Sequence, residues 1–165
     1  MESLELRPYR PTDVAAIVAI VNFNILNSTA LYDYEPRTEQ AQQAVFEEKL
    51  QKGFPIWVAT IGDELVGFGY YSEFRFREAY QYTVEHSVYV APDFYGKGIG
   101  KELLQQLIQL AKAQGKHTLI AVIDSENQGS IKFHEQFGFT TVGVLKQTGF
   151  KFDRWLDTVL LQLIL

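Results

Sequence analysis

Three glycines at alternate positions mark the stretch of this sequence that most clearly suggests chemistry. Gly96, Gly98 and Gly100 lie in APDFYGKGIGKELLQQL, between an apolar segment and a run with helical spacing. Glycine permits positive φ angles and close approach of a ligand, and the first N–H groups of a helix lack internal partners. With Lys97 and Lys101 beside it, this turn favours an anion site over a turn that binds nothing.

Two common nucleotide motifs do not fit this turn. A P-loop requires a first glycine five residues before Gly-Lys-Ser or Gly-Lys-Thr, whereas Tyr95 stands at that position and Glu102 follows Lys101. A dinucleotide fingerprint requires Gly-x-Gly-x-x-Gly, and Lys101 occupies the place of its third glycine, although Asp124 is spaced like a ribose partner. The turn therefore predicts a phosphate site of another kind.

Two further side chains are of types that transfer protons. Glu85 stands on an otherwise apolar strand, VEHSVYV, where partial burial would raise its pKa toward that of a general base. The alternatives are a solvated edge residue or an ion-pair partner for Arg75 or Arg77. His134 lies on a helix, where a packed core histidine is an equal alternative to a proton donor. His86 should point to the opposite face of the strand from Glu85, in a structural or substrate-lining role.

Hydrophobic periodicity predicts the elements that position these residues. The helix over 38–52 is expected to bury Ala41, Ala44, Val45 and Leu50. The order of elements indicates an α/β (α+β) fold with a mixed sheet flanked by helices. Helices are expected over 12–26, 38–52, 99–114 and 128–137, and strands over 4–9, 82–90, 117–124, 139–149 and 156–164, with a hairpin over 55–74.

Composition narrows the class of protein. The chain has 165 residues, 47% of them hydrophobic, and shows no repeat or linker, so we expect one domain spanning residues 1–165. The absence of cysteine excludes disulfides and transfer through a cysteine thiol, and we predict no metal site. A net charge of -5 disfavours nucleic acid, and the sequence shows neither a signal peptide nor a membrane span. We expect a soluble, cytoplasmic protein.

Together these segments resemble the GNAT superfamily of N-acetyltransferases, and within it the phosphinothricin N-acetyltransferase-like branch. The resemblance covers nearly the whole chain and is most specific in AYQYTVEHSVYVAPDFYGKGIGKELL, AVIDSENQGSIKFHEQFGF and GFKFDRWLD. Tyr95 departs from the family's Gln or Arg at the start of the pyrophosphate loop. The resemblance implies a mostly antiparallel sheet that splays at the cofactor site, with acetyl-CoA as cosubstrate.

The resemblance also implies roles for individual residues. The pantetheine arm would bind the main chain of the 88–90 segment like an added strand, the pyrophosphate would bind residues 96–101, and Glu85 would be the general base. His134 occupies the position of a tyrosine that, in many relatives, protonates the departing thiolate. The implied cofactor-binding residues are Val88, Tyr89, Val90, Gly96, Lys97, Gly98, Ile99, Gly100, Lys101, Asn127 and Ser130.

The acceptor is implied to be a small amino-acid-like amine, such as phosphinothricin or methionine sulfoximine, attacked directly in a ternary complex. The alternatives are a peptide or protein N-terminal acetyltransferase and a non-catalytic acyl-CoA sensor. Members of this branch commonly dimerise, so a homodimer is expected. The residues predicted to bind the acceptor are Tyr34, Phe74, Arg75, Arg77, Tyr80 and Lys151, although the aromatic side chains among them are also typical of sheet packing and the cations of a solvated surface.

Overall fold

The computed structural model describes residues 3–165, which form a seven-stranded sheet flanked by four helices. None of the helices in this range is both long and apolar enough to cross a bilayer. In chain order the elements are β1 (Leu4–Pro8), α1 (Val14–Asn27), α2 (Glu39–Gln51), β2 (Ile56–Ile61), β3 (Glu64–Glu73), β4 (Thr83–Val90), α3 (Ile99–Ala113), β5 (Thr118–Asp124), α4 (Gln128–Glu135), β6 (Thr140–Lys151) and β7 (Arg154–Ile164).

The sheet is mixed, with one parallel contact at its centre. Its strand order is β1-β2-β3-β4-β5-β7-β6, and every neighbouring pair except β4 and β5 is antiparallel. The parallel pair is short, because β4 and β5 are in register only from Thr83 opposite Thr118 to Glu85 opposite Ile120. Beyond Glu85 the two strands part. The predicted mixed, mostly antiparallel sheet with a splay is confirmed.

Helices cover both faces of the sheet. On one face, α1 and α2 bury side chains such as Ile17 and Phe46 against Phe68 of β3. On the other face, α3 buries Leu104 and Leu107 in a cluster with residues of β3, β4, β5 and β7. Because neighbouring strand residues point to opposite faces, each central strand contributes to both cores.

Glycines in β3 let α3 lie close to the sheet. A β-carbon on Gly67 would be 3.0 Å from the Tyr89 carbonyl oxygen and 3.2 Å from side-chain atoms of Ile99 and Leu103. A β-carbon on Gly69 would be 3.1 Å from a methyl carbon of Leu107. These contacts are shorter than ordinary van der Waals separation, so the start of α3 is seated directly over β3.

The predicted buried face of α2 is wrong. Ala41, Ala44, Val45 and Leu50 are all exposed, and the side chains that α2 buries are Gln42 and Phe46. The physical reason is aromatic packing, because the ring of Phe46 makes edge contacts with the rings of Tyr9, Phe68 and Tyr70. That cluster turns the helix so that its short aliphatic side chains face outward.

Candidate active site

The parting of β4 and β5 opens a cleft of about 1400 Å³. Past Glu85 the edge of β4 that faces β5 has no strand partner in the described chain, so its main-chain groups are available to an extended ligand. Residues 28–32, between α1 and α2, form another wall of the same cleft. The cleft is long enough to take a ligand between the two halves of the sheet.

The glycine turn forms one end of the cleft. Gly96 has φ 75° and Gly98 has φ 80°, the left-handed conformation that glycine adopts without strain. Gly98 is the N-cap of α3, so the N–H groups of Ile99, Gly100 and Lys101 lack partners within the helix and carry its positive dipole end. A β-carbon on Gly98 would meet nothing within 4 Å among the described residues. The turn therefore presents bare donors to an anion.

The residues predicted to bind the cofactor come together around this cleft, with one exception. Ten of the eleven line it; Lys97, on the glycine turn, does not. The Lys97 ammonium group lies 4.4 Å from the centre of the Phe94 ring, a cation–π contact at the surface. Lys101, at the start of α3, is the cation of this turn that lines the cleft.

Asn127 and Ser130 form the start of α4 on the opposite side. The Asn127 side-chain oxygen accepts the Ser130 N–H at 3.1 Å, which is an N-cap hydrogen bond. The side-chain amide nitrogen of Asn127 makes no hydrogen bond within residues 3–165, so it remains a donor for a ligand. Both the capping function and the predicted cofactor contact are therefore compatible with this geometry.

Glu85 lies at the last register pair before the strands part, half-buried on the wall of the cleft. Burial raises the pKa of its carboxyl group, and the charges of Lys49 and Arg75 oppose that shift. No salt bridge within residues 3–165 joins Glu85 to Arg75 or Arg77, so the ion-pair alternative is not what the structure shows. A carboxylate of raised pKa beside a cleft suits a general base.

His86 and His134 form a buried pair, and both also line the cleft. The Nδ1–H of His134 donates to the Ser130 carbonyl oxygen at 2.7 Å, which leaves His134 Nε2 as an acceptor. His86 Nε2–H then donates to it at 2.9 Å. Both rings also contact Phe139. The hydrogen bonds assign neutral tautomers to both imidazoles.

The surroundings of the pair favour the uncharged form. Burial and then the neighbouring His134 lower the pKa of His86 to about 3, and burial also lowers the pKa of His134. His86 Nδ1 has no hydrogen-bond partner within the described chain. Since both ring nitrogens of His134 are engaged, donation of a proton to a leaving group would break one of its hydrogen bonds. The geometry favours the packed role.

The residues predicted to bind the acceptor lie outside the cleft. Phe74, Arg75, Arg77 and Tyr80 are on the connection between β3 and β4, where Arg75 and Arg77 stack on the neighbouring Phe74 and Phe76 rings. The structure therefore does not bring this group to the cleft of the same chain.

Tyr34 and Lys151 are held by main-chain contacts instead. The Tyr34 hydroxyl donates to the Phe150 carbonyl oxygen, and the Lys151 ammonium group donates to the carbonyl oxygens of Ser28 and Leu31. Lys151 is 4% exposed and does not line the cleft. The Lys151 ammonium group is therefore already hydrogen-bonded within the fold. This corrects the prediction that Lys151 is a free cation for a substrate carboxylate.

Sequence reasoning missed one part of the cleft. Its lining includes the 28–31 segment, Tyr70, Phe152 and Arg154, while Tyr32 completes the loop wall. The loop carries no motif. Phe152 reaches the cleft from the turn between β6 and β7, and Arg154 reaches it from the start of β7. The change from helical spacing to the polar stretch after Asn27 marks a loop, but nothing local indicates what that loop faces.

Comparison with known proteins places the chain in a family. Residues 22–139 match the Acetyltransferase (GNAT) family. An L-methionine sulfoximine/L-methionine sulfone acetyltransferase of Pseudomonas paraeruginosa is 42% identical, over 98% of this chain and 94% of its own length. A crystal structure of a phosphinothricin acetyltransferase of Sinorhizobium meliloti with acetyl-CoA bound is 38% identical, with a TM-score of 0.95, and covers 98% of this chain and 88% of that one.

A third relative carries a different description. The crystal structure of a ribosomal-protein-alanine N-acetyltransferase of Brucella melitensis has a TM-score of 0.96 and 37% identity, covering 98% of this chain and 99% of that chain. Together with the open seven-stranded sheet, these matches establish that the chain belongs to the GNAT acetyltransferase family. Acetyl-CoA is the cosubstrate of that family, and the glycine turn and the free edge of β4 fit its diphosphate and pantetheine arm.

The neutral histidine pair predicts an acid-sensitive fold. An unfolded histidine binds a proton near pH 6.5, whereas folded His86 resists protonation down to about pH 3. Lowering the pH through this window therefore favours the unfolded state, and stability should fall. In His86→Phe, urea unfolding from about pH 7 to about pH 5 should show a smaller loss of stability than in the wild type.

The exposed His117 supplies the control for this experiment. His117→Gln should retain the wild-type decline in the free energy of unfolding. Parallel pH dependences for the wild type and His86→Phe would contradict the assignment of a neutral buried pair.

Proposed function

We propose that this protein transfers an acetyl group from acetyl-CoA to the amino group of a small amino-acid-like acceptor of the phosphinothricin or methionine sulfoximine type. The observation that carries the proposal is the single cleft that joins the glycine turn to Glu85. The descriptions of the Pseudomonas and Sinorhizobium relatives support the acceptor class. We propose one domain over residues 1–165; the cytoplasmic location stays a prediction.

The proposed reaction needs the acceptor as a neutral amine. Deprotonating an amine of pKa near 8 at pH 7 costs about 1.4 kcal/mol, and an amine near 10.4 costs about 4.6 kcal/mol. In the proposal Glu85 removes this proton, directly or through water. The neutral nitrogen then attacks the thioester carbonyl carbon, the N–C bond forms and the C–S bond breaks. The nitrogen loses its second proton as the amide forms, which balances the proton that the departing thiolate takes up. Without cysteine, direct attack in a ternary complex is the simpler route.

Within this mechanism the predicted residues have separate roles in binding and proton transfer. The main chain of the 88–90 segment and of the glycine turn holds the acetyl donor, with Asn127 and Ser130 completing its site. Glu85 stands where the sheet parts and faces the same cleft. We propose that His134 supports α4 through its buried pair with His86, and we assign it no proton transfer.

A protein or peptide acceptor is the second candidate, because the Brucella neighbour is described as acting on a ribosomal-protein alanine. A non-catalytic sensor of acyl-CoA is the third. The descriptions of the Pseudomonas and Sinorhizobium relatives favour the small acceptor over both.

An amine panel separates these three candidates. With acetyl-CoA present, thiol release should accelerate with methionine sulfoximine, methionine sulfone or phosphinothricin and respond weakly to peptides with a free N-terminus. Faster release with the peptides would support the second candidate. Binding of coenzyme A with no amine-dependent release of thiol would support the sensor and contradict the proposal.

Replacing the proposed base changes the pH dependence of the reaction. Glu85→Gln should lower kcat/KM by about 100-fold or more near pH 6, and by less near pH 9, where more of the acceptor is already neutral. The rate is measured as thiol release across this range. Glu73→Gln is the matched control. The charge of Lys49 acts to lower the pKa of both the Glu73 and Glu85 carboxyl groups, but Glu73 has no proposed role in the reaction. A uniform loss at every pH would demote Glu85 to a structural residue.

We propose that the protein is a homodimer that associates through β6. This strand has 12 residues, lies at the edge of the sheet, and leaves Val142, Val144 and Leu145 about half exposed. A long edge strand leaves a row of main-chain N–H and C=O groups without partners. Together with exposed apolar side chains, this favours pairing with another chain. The family resemblance supports a dimer, and a second copy would cover these side chains.

A charge on this edge should separate the subunits. Sedimentation velocity should show a dimer for the wild type and a monomer for Val144→Lys, because the interface would bury an unpaired ammonium group. Val45→Lys supplies the matched control on the outer face of α2, where Val45 is 40% exposed, and should remain dimeric. A monomeric wild type, or dissociation by Val45→Lys alone, would refute association through β6.

A further inference from the structure

The loop between α1 and α2 forms a wall of the cleft without support from regular structure. Residues 28–32 all line the cleft, and none of them belongs to a helix or strand. A loop wall of this kind fixes the shape of a site only when the fold anchors it elsewhere, because ordering each backbone residue costs about 1–2 kcal/mol of conformational entropy. Most anchors of this wall lie on β6, and one lies on β5.

The principal anchor is Lys151, the last residue of β6. Its ammonium group is buried and donates to the Ser28 carbonyl oxygen at 2.8 Å and the Leu31 carbonyl oxygen at 2.6 Å. Ser28 is the C-cap of α1, where the helix presents its negative dipole end. A cation there satisfies carbonyl groups that the helix leaves without partners. One side chain thus ties both ends of a four-residue stretch.

The two residues before Lys151 contact the same loop. The Tyr32 ring lies so close over Gly149 that a β-carbon there would be 2.5 Å from a ring atom. The Tyr34 hydroxyl donates to the Phe150 carbonyl oxygen. Three consecutive residues at the end of β6 therefore hold this loop by a charge, a ring contact and a hydrogen bond.

A further hydrogen bond secures the loop to the centre of the sheet. The Thr29 hydroxyl donates to the buried carboxylate of Asp124, at the end of β5. With Lys151 on one side and Asp124 on the other, the carbonyl groups and side chains of residues 28–32 have little freedom to move. These contacts set the position of the cleft wall.

We propose that Lys151 is a positioning residue for the acceptor amine, which sets the 28–32 wall through the carbonyl groups of Ser28 and Leu31 without touching the acceptor itself. This inference rests on the proposed function and adds to it the element that shapes the acceptor side. It differs from direct recognition of a carboxylate, for which the Lys151 ammonium group would have to leave both carbonyl groups.

Kinetics of Lys151→Met distinguish these two roles. Methionine keeps an unbranched side chain, shorter only by the terminal nitrogen, but removes the N–H donors, so KM for the amine should rise about tenfold while KM for acetyl-CoA stays unchanged. The acceptors are methionine sulfone and its carboxamide, which lacks the negative charge. A positioning role predicts the same fold-change for both. Lys146→Met, on the exposed part of β6, should leave both KM values unchanged.

Three outcomes would overturn the proposal. An effect confined to the carboxylate form would show direct contact with the acceptor, an unchanged KM for the amine would remove the role, and an equal rise in KM for acetyl-CoA would show a general loss of structure. If Lys151→Met does not fold, Lys151→Gln retains an amide NH₂ donor group and should give a smaller rise in KM for the amine.

Hydrogen exchange tests the anchor independently of catalysis. The amides of residues 28–34 should exchange faster in Lys151→Met than in the wild type, while the amides of α3 keep their protection. Unchanged exchange in the loop would contradict the proposal. If the wild type releases no thiol with any amine, the proposed function fails, but this exchange result still decides whether Lys151 holds the wall.

Discussion

The structure depends on where the parallel pairing of β4 and β5 stops. Among residues 3–165, only three register pairs, ending at Glu85 opposite Ile120, join β4 to β5. Ending the ladder there leaves polar main-chain groups of β4 without a strand partner, which an ordinary core would not tolerate. Those groups need a ligand that is itself extended and polar, and the arm of coenzyme A has that character. The splay in the sheet is thus the proposed binding site.

Two neighbouring residues of β4 line the cleft in different states. The Glu85 carboxyl group is half-buried with a raised pKa, whereas His86 is buried in a neutral pair with His134. Alternation along one strand therefore places the proposed general base beside the histidine that contacts α4. Because α3 packs closely over Gly67 and Gly69, the N-terminal residues of that helix lie at the same cleft.

Local patterns predicted the parts of the fold that depend on neighbouring residues. The alternate glycines indicated the turn and its anion site, and the structure shows the positive φ angles that only glycine adopts easily. Helical spacing predicted α3, and Gly62-Asp63 predicted the hairpin of β2 and β3. The strands at the end of the chain were predicted a few residues short, because the turn at 152–153 contains non-glycine residues with positive φ. The family resemblance supplied the cofactor.

Contacts between distant residues explain what the sequence did not reveal. The outward face of α2 follows from a ring cluster around Phe46, and spacing alone does not show which side of a polar helix carries the dominant contact. Lys151 and Ser28 are 123 residues apart, so neither position indicates that the cation holds a loop. The roles of Glu85 and of the cofactor-binding residues stay predictions, supported by their meeting in one cleft.

The most direct measurement compares coenzyme A affinity in two glycine variants. Gly98 and Gly115 stand at the two ends of α3 with φ 80° and 70°, and neither position has a described atom within 4 Å of an added β-carbon. Gly98→Val and Gly115→Val therefore carry similar backbone strain. Isothermal titration should show loss of coenzyme A binding for Gly98→Val alone, with both variants folded by thermal melting. Equal affinity in the two variants would contradict a diphosphate site at the glycine turn.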